Sequence, residues 1–307
     1  MKLNTIEDAK LEGKRIIIRV DFNVPLKNGV VTDDTRIVAA LPTIKYLLAQ
    51  KGTSLVVVTH LGRPKGQKNI EFSLAPVAKR FEELLGSPVK LASDVIGPEV
   101  KAEAAALKPG EILLLENVRF YKEEEANDAA FSKELASLAE AFAKELRALA
   151  DIYVNDAFGT AHRAHASTEG LAHYLPAYAG YLIEKEVRFM APLLTNPERP
   201  FVAIIGGAKV SSKITVLESL LKTVDTIVIG GGMAYTFLKV LGHGIGKSLF
   251  ESDYVDTAKS FLDKAKEKKV QVILPVDYVC AEEFAEDAEP IYIDAPDVPE
   301  NLLSLDI

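Results

Sequence analysis

Cysteine is almost missing from this chain: among 307 residues Cys280 alone carries a thiol, so neither an intrachain disulfide nor a cysteine-built zinc site can form. It follows the strand-like run Pro275 to Val279, where a buried, inert thiol is expected. Also lacking is any apolar run of membrane-spanning length, and residues 1–15 mix Asp, Glu and Lys with no leader-like apolar stretch. Positive charge is in deficit. Against 44 Asp and Glu stand 36 Lys and Arg, a formal net charge of −8, which argues against nucleic acid or an acidic membrane surface as a general partner. Any anion site must therefore be a local basic cluster, and a reducing cytoplasm is the expected compartment.

Two nucleotide signatures are absent as well. Gly242 to Ser248 (GHGIGKS) approaches a Walker loop, but only three residues separate Gly242 from Gly246-Lys247 where four are needed, and no apolar strand precedes it. No GxGxxG opens a helix after a strand. His162 and His165 are three apart, yet no further ligand set at metal spacing surrounds them, so no protein metal site is expected.

What is present is alternation. The length exceeds what one core usually holds, and 48% hydrophobic with 26% charged residues is ordinary globular composition, so two domains are expected. Arg15 to Val20, Leu55 to Val58, Val89 to Ala92, Glu111 to Glu116 and Ile152 to Val154 read as strands, the last of them the final strand of the first half. The intervening helices are placed after Thr32, Asp33 and Asp34, with Pro42 as a possible dividing point, and from Leu74 to Leu85. The acidic run Glu123 to Glu125 is most simply a solvated approach to a helix. Strands alternating with helices imply a parallel sheet, whose ligands bind beyond the strands' carboxyl ends. Arg63, Arg119 and Arg163 each follow a strand, and Arg36 follows the first at more distance. Guanidiniums gathered on one rim would repel one another unless a small polyanion such as a phosphate or carboxylate lay among them. Scattered surface arginines, with Arg36 paired to Asp33, are the plainer account.

The segment from Tyr181 to Leu194 has helical spacing and stops at Thr195 to Pro200, a natural domain boundary. Beyond it Phe201 to Ile205, Thr226 to Ile229, Val270 to Leu274 and Ile291 to Ile293 predict a second doubly wound unit. Ile204 to Lys213 (IIGGAKVSSK) is strand, glycine turn and helix start, which favours an anion on the free amides. Were the helix to begin early, Lys209 and Lys213, four apart, would share a face and repel unless an anion lay between them. Gly230 to Tyr235 repeats the pattern, so that two glycine turns could wall a nucleotide pocket. One oddity is a tandem copy, with residues 130–140 (AFSKELASLAE) nearly repeated at 141–151 (AFAKELRALAD). Eleven residues are close to three helical turns, so the repeat reads as a helix lengthened by duplication.

Taken together, RVDFNVP at 19–25, HLGRP at 60–64, LENVRF at 115–120, NDAFG through His165 at 155–165, Gly206 to Lys213 and Gly230 to Phe237 resemble the phosphoglycerate kinase family, over essentially the whole chain. The resemblance implies an α/β fold of two doubly wound, parallel-sheet (Rossmann-like) domains joined by a hinge helix. Residues 1–182 would bind phosphoglycerate, 183–200 would form the hinge and 201–307 an incomplete nucleotide domain. It implies that Asp21, Phe22, Asn23, Arg36, His60, Leu61, Gly62, Arg63, Arg119 and Arg163 bind 3-phosphoglycerate or 1,3-bisphosphoglycerate. Gly207, Lys213, Gly231 and Gly232 would bind ATP or ADP with Mg²⁺, and Arg36, Lys209 and Lys213 would stabilise the phosphoryl group in flight. A monomer is implied. Two departures from the family pattern stand out: the duplication at 130–151, and an end at Ile307 where family members continue, which would leave a sheet edge unpaired. The expected function is phosphoglycerate kinase, with a fragment that binds 3-phosphoglycerate but turns over little as the alternative.

Overall fold

The computed structural model describes residues 3–138 and 152–307, and the chain separates into two compact units, Met1–Phe189 and Met190–Ile307. The second copy of the repeat and the last two residues of the first lie outside the described residues.

In the first unit the chain runs β1 (Arg15–Arg19), a hairpin of β2 (Leu26–Lys27) and β3 (Val30–Val31), α1 (Thr35–Ala49), β4 (Ser54–Val58) and α2 (Ala75–Leu85). It continues through β5 (Lys90–Leu91), α3 (Pro98–Ala105), β6 (Ile112–Leu114), α4 (Lys122–Glu125), α5 (Ala129–Ser137), β7 (Ile152–Asn155) and β8 (Ala177–Ala179). Six strands form one sheet in the order β5-β6-β4-β1-β7-β8, and each of its pairings is parallel. Alternation decides which face each side chain takes. Ile16, Ile18, Leu55, Val57, Ile112, Leu114, Ile152 and Val154 enter one core layer, while Ile17, Val56, Val58, Leu113 and Tyr153 enter the other. The sequence direction reverses between β4 and β7 on either side of β1, which makes the crevice at the carboxyl end of β1 the natural binding place.

Helix α1 turns Ile37, Ala40, Leu41, Ile44 and Leu47 inward and continues through Pro42. The reason is orientation: Pro42 is exposed and so is Val38, whose carbonyl it leaves unbonded and which water can satisfy. Strand β8 was not anticipated; Ala177–Ala179 is too short to show a pattern and depends on its register with Tyr153 to Asn155.

Helix α6 (Tyr181–Thr195) contains the division between the units. Its first turn is held from β7's loop, where Asp156 Oδ1 accepts the amides of Leu182 at 2.8 Å and Ile183 at 3.4 Å. Asp156 is fully buried, and burial pushes its carboxyl up to about 6 against the opposing hydrogen bonds from Thr43, Leu182 and Ile183. A carboxyl whose pKa rises on folding holds its proton longer folded than unfolded, so its stabilising contribution is complete below about pH 4 and is lost as pH climbs through about 6. Urea unfolding of the wild type and of Asp156→Asn should therefore show their stability difference shifting against the wild type by roughly 1–3 kcal/mol across that window. A difference that stays flat would contradict this.

The second unit holds β9 (Val202–Gly206), α7 (Ile214–Leu220), β10 (Thr226–Gly230), α8 (Ala234–Val240), α9 (Val255–Glu267) and β11 (Gln271–Ile273). They are followed by β12 (Tyr278–Ala281), β13 (Ile291–Ile293) and β14 (Leu303–Asp306). Strands β11-β10-β9 make a parallel sheet, with β9 at an edge. The expectation that Ile291 to Ile293 continues that sheet is corrected: β13 pairs antiparallel with β12, which also takes β14 antiparallel. Cys280 lies on β12 and is buried, as expected.

Candidate functional site

Four connections meet at the carboxyl ends of β1, β4, β6 and β7. Asp21, just past β1, takes Arg36 Nη1 on Oδ2 at 2.5 Å and the Asn23 amide on Oδ1 at 3.3 Å. Arg36 is thus paired with Asp21 and not with Asp33, whose Oδ1 instead accepts the Thr35 amide at 2.9 Å. The Arg36 side chain stays 52% exposed, so the pair contributes at most about 1 kcal/mol to stability; what it does is aim a guanidinium.

Asn23 Oδ1 accepts the Gly62 amide at 2.8 Å, and the Gly62 carbonyl accepts Arg119 Nη1 at 3.0 Å. Gly62 has φ +60, and a side chain there would run into the Phe72 ring. The turn therefore demands glycine. Asn117 ties the next loop in, donating to Leu61 O at 2.8 Å and Phe72 O at 3.0 Å while its Oδ1 accepts the Arg119 amide. From the β7 connection Gly159 abuts the Asp21–Arg36 pair closely enough that a Cβ would lie 2.5 Å from Asp21 Oδ2. His60 Nδ1 lies 4.0 Å from Asp21 Oδ1, so the structure gathers Asp21, Asn23, Arg36, His60, Gly62 and Arg119. Phe22 and Leu61 are buried, Phe22 against Phe81 with ring centroids 5.1 Å apart, so these two offer the rim only backbone. Arg163 and Arg63 are exposed; Arg163 is near enough to help lower the pKa of Arg119, whose chief cause is burial.

Sequence reasoning missed what lies beneath. Arg19 is fully buried, donating Nε to Ser167 Oγ at 2.7 Å and Nη2 to His60 Nδ1 at 3.1 Å. Ser167 in turn donates Oγ–H to Glu124 Oε1 at 2.5 Å and its amide to Oε2 at 2.9 Å. Glu124 has no solvent exposure, which corrects the solvated reading of residues 123–125 at its middle member. A charged residue inside a polar run looks like surface, and only the tertiary partners at 19 and 167 show otherwise.

In the second unit α7 begins at Ile214, with Lys213 at its N-cap. The helix starts later than the early placement considered, so Lys209 lies in the turn and does not share a helical face with Lys213. Both are exposed, and neither joins an ion pair among the described residues. The two glycine turns do meet: Gly231 has φ +66, a Cβ on it would stand 3.0 Å from Gly207 O, and the Met233 amide donates to that same carbonyl at 2.8 Å. A Cβ on Gly207 would lie 3.7 Å from Lys213 Cε. Beside them is a cavity of 520 Å³ whose lining includes Gly231, Gly232, Leu249, Phe284, Leu305 and Asp306. Its size suits a small organic ligand. Leu249, Phe284 and Leu305 were not anticipated as lining, since they come from separate connections and from β14. A larger groove of 690 Å³ near α2 contains none of the rim residues; its Arg80 is already paired with Asp34 and Glu83.

Among the described residues no group of three His, Cys, Asp or Glu is placed to hold a metal, and no helix is long and apolar enough to cross a membrane.

An α/β unit with cations at its strand ends, and another with paired glycine turns beside an apolar cavity, have the equipment of a phosphotransferase. The comparisons make that specific. The phosphoglycerate kinase family model matches residues 6–307. A phosphoglycerate kinase of Borrelia turicatae is 58% identical over 307 residues, covering 100% of this chain and 75% of that protein. One of Moorella thermoacetica is 55% identical over 303 residues, covering 99% and 74%. Among solved structures, phosphoglycerate kinase from Coxiella burnetii superimposes with TM-score 0.84 at 43% identity over 100% of this chain and 74% of that one. That from Pyrococcus horikoshii gives 0.80 at 30%, over 99% and 75%. The chain belongs to the phosphoglycerate kinase family, and it is a kinase. Nothing in these comparisons favours the alternative of a fragment that only binds.

Proposed function

We propose that the chain catalyses reversible transfer of a phosphoryl group between the acyl phosphate of 1,3-bisphosphoglycerate and MgADP, giving 3-phosphoglycerate and MgATP, the glycolytic reaction. The observation that carries this reading is the linked rim of Asp21, Asn23, Arg36, His60, Gly62 and Arg119 in a member of this family. In this reading the rim, with Arg63, Arg163 and the backbone of Phe22 and Leu61, holds the three-carbon acid. Residues 1–182 are the glycerate domain, 183–200 the hinge and 201–307 the nucleotide domain.

The nucleotide occupies the second unit, its base against Leu249, Phe284 and Leu305 and its phosphates toward Gly207, Gly231, Gly232 and Lys213. Phosphoryl transfer needs alignment and charge neutralisation more than a protein nucleophile, and Arg36, Lys209 and Lys213 supply fixed positive charge to the migrating group. Mg²⁺ suits such a site through nucleotide phosphates and at most one or two carboxylates; Asp306 is the carboxylate that lines the cavity. When bound it neutralises phosphate charge. The enzyme works as a cytoplasmic monomer with no nucleic-acid or membrane partner.

Calorimetry with 3-phosphoglycerate and with MgADP, run separately, is the test, followed by a coupled ATP-dependent assay. Each ligand should bind without the other and turnover should follow. A chain that binds MgADP but gives no heat with 3-phosphoglycerate would overturn the assignment of the rim.

A further inference from the structure

An imidazole among arginines at an anion site is ordinarily pictured as a cation that joins them. The contacts of His60 say otherwise. Arginine has five N–H donors and no acceptor, so when Arg19 Nη2 lies 3.1 Å from His60 Nδ1 that nitrogen has to accept. The ring's single proton is then on Nε2. Among the described residues Nε2 has no protein hydrogen bond, and it is not one of the sealed, unpartnered atoms, so it is the ring atom left for water or ligand.

Arg19 is itself unable to turn away. Its Nε is held by Ser167 Oγ at 2.7 Å, Nη1 by the carbonyl of Val20, and the serine is fixed by Glu124 through both its hydroxyl and its amide. All of Arg19, His60, Glu124 and Ser167 are buried.

We propose that Arg19 is a positioning residue for this site: clamped by Ser167 and Glu124, it fixes His60 as the uncharged Nε2–H tautomer, so that the histidine meets the glycerate ligand as a neutral hydrogen-bond donor. The role of donor to the ligand rests on the glycerate reading above; the tautomer does not. The groups facing His60 agree with it. Asp21 Oδ1, 4.0 Å from Nδ1, is the nearest carboxylate and is already engaged by Arg36 and the Asn23 amide. Burial first, then Arg19, Arg119, Arg36 and His165, push the His60 imidazolium down to about 2. A neutral donor keeps the same strength across the pH range in which histidines ordinarily titrate, and it adds no further positive charge to a rim that must stay stable when empty.

The experiment is nitrogen-15 NMR of the imidazoles in the intact wild-type chain from pH 5 to 8. His60 should show a protonated Nε2 and a bare Nδ1 throughout, with no titration step. A cationic ring, or a proton on Nδ1, overturns the proposal without recourse to any variant. In Arg19→Gln, provided it folds, His60 should begin to titrate within that range or exchange between tautomers; a ring that remains locked as before removes Arg19 from the role. Adding 3-phosphoglycerate should shift the Nε2–H resonance. Binding that leaves this resonance unmoved refutes the donor role, whereas absence of binding with the tautomer intact is a failure of the glycerate reading alone.

Discussion

Alanine in place of Lys213 lowers the rate of phosphoryl transfer by about 10²–10³-fold, the usual effect of removing one preorganised charge from a transition state, while 3-phosphoglycerate binds as before. Lys213 can be removed without structural cost. Its side chain is exposed, it caps α7 with no side-chain hydrogen bond, and it joins no ion pair among the described residues. Its stem packs beside Gly207, the residue whose carbonyl receives the Met233 amide and whose backbone presses on Gly231. The ammonium thus belongs to the turn that the proposed function assigns to nucleotide phosphate, in a unit separate from the glycerate rim. A coupled assay reads the rate, and calorimetry with 3-phosphoglycerate reads the binding. Equal losses in both would mean general damage, and an unchanged rate would take Lys213 out of the reaction.

How such residues could be picked out from letters alone depends on the kind of signal each leaves. Strands β1, β4, β6 and β7 were legible because a buried parallel strand must be apolar on both faces, and runs such as RIIIR and SLVVV show it without help; β9 and β10 show equally apolar runs although β9 is an edge strand with Val202 and Ile204 exposed. The placement of Arg36, Arg119 and the glycines was legible because they follow strands in the sequence, and an open parallel sheet presents such positions at its carboxyl ends. The direction of β13 was not. Ile291 to Ile293 looks the same whichever way it pairs, and only its return beside Tyr278 to Cys280 makes it antiparallel. Whether α7 begins early or late was left open by the letters, and the turn from Val210 to Lys213 before the helix proper decides it. Illegible for a stronger reason were Arg19, Glu124 and Ser167. They stand far apart in sequence, each looks polar and solvent-facing by itself, and burial becomes acceptable only once all three hydrogen bonds exist together.

That dependence sets the largest stability effect expected in this chain. Glu124→Ala should cost about 3–5 kcal/mol, the range for breaking a buried charge pair from one side. It strips Ser167 of the acceptor for both its hydroxyl and its amide, and it leaves the Arg19 guanidinium sealed in the core without the carboxylate that offsets its desolvation. Glu124→Gln keeps one carbonyl oxygen for Ser167 but no countercharge, and it should fall between the wild type and alanine. Arg19→Met combined with Glu124→Ala should cost clearly less than the two single changes added together, because once both charges are gone neither is stranded. Urea unfolding of the four proteins supplies the comparison. Strict additivity would mean that the carboxylate and the guanidinium are stabilised independently, and the serine between them would then be a bystander and not the link that carries the charge of Glu124 to the rim.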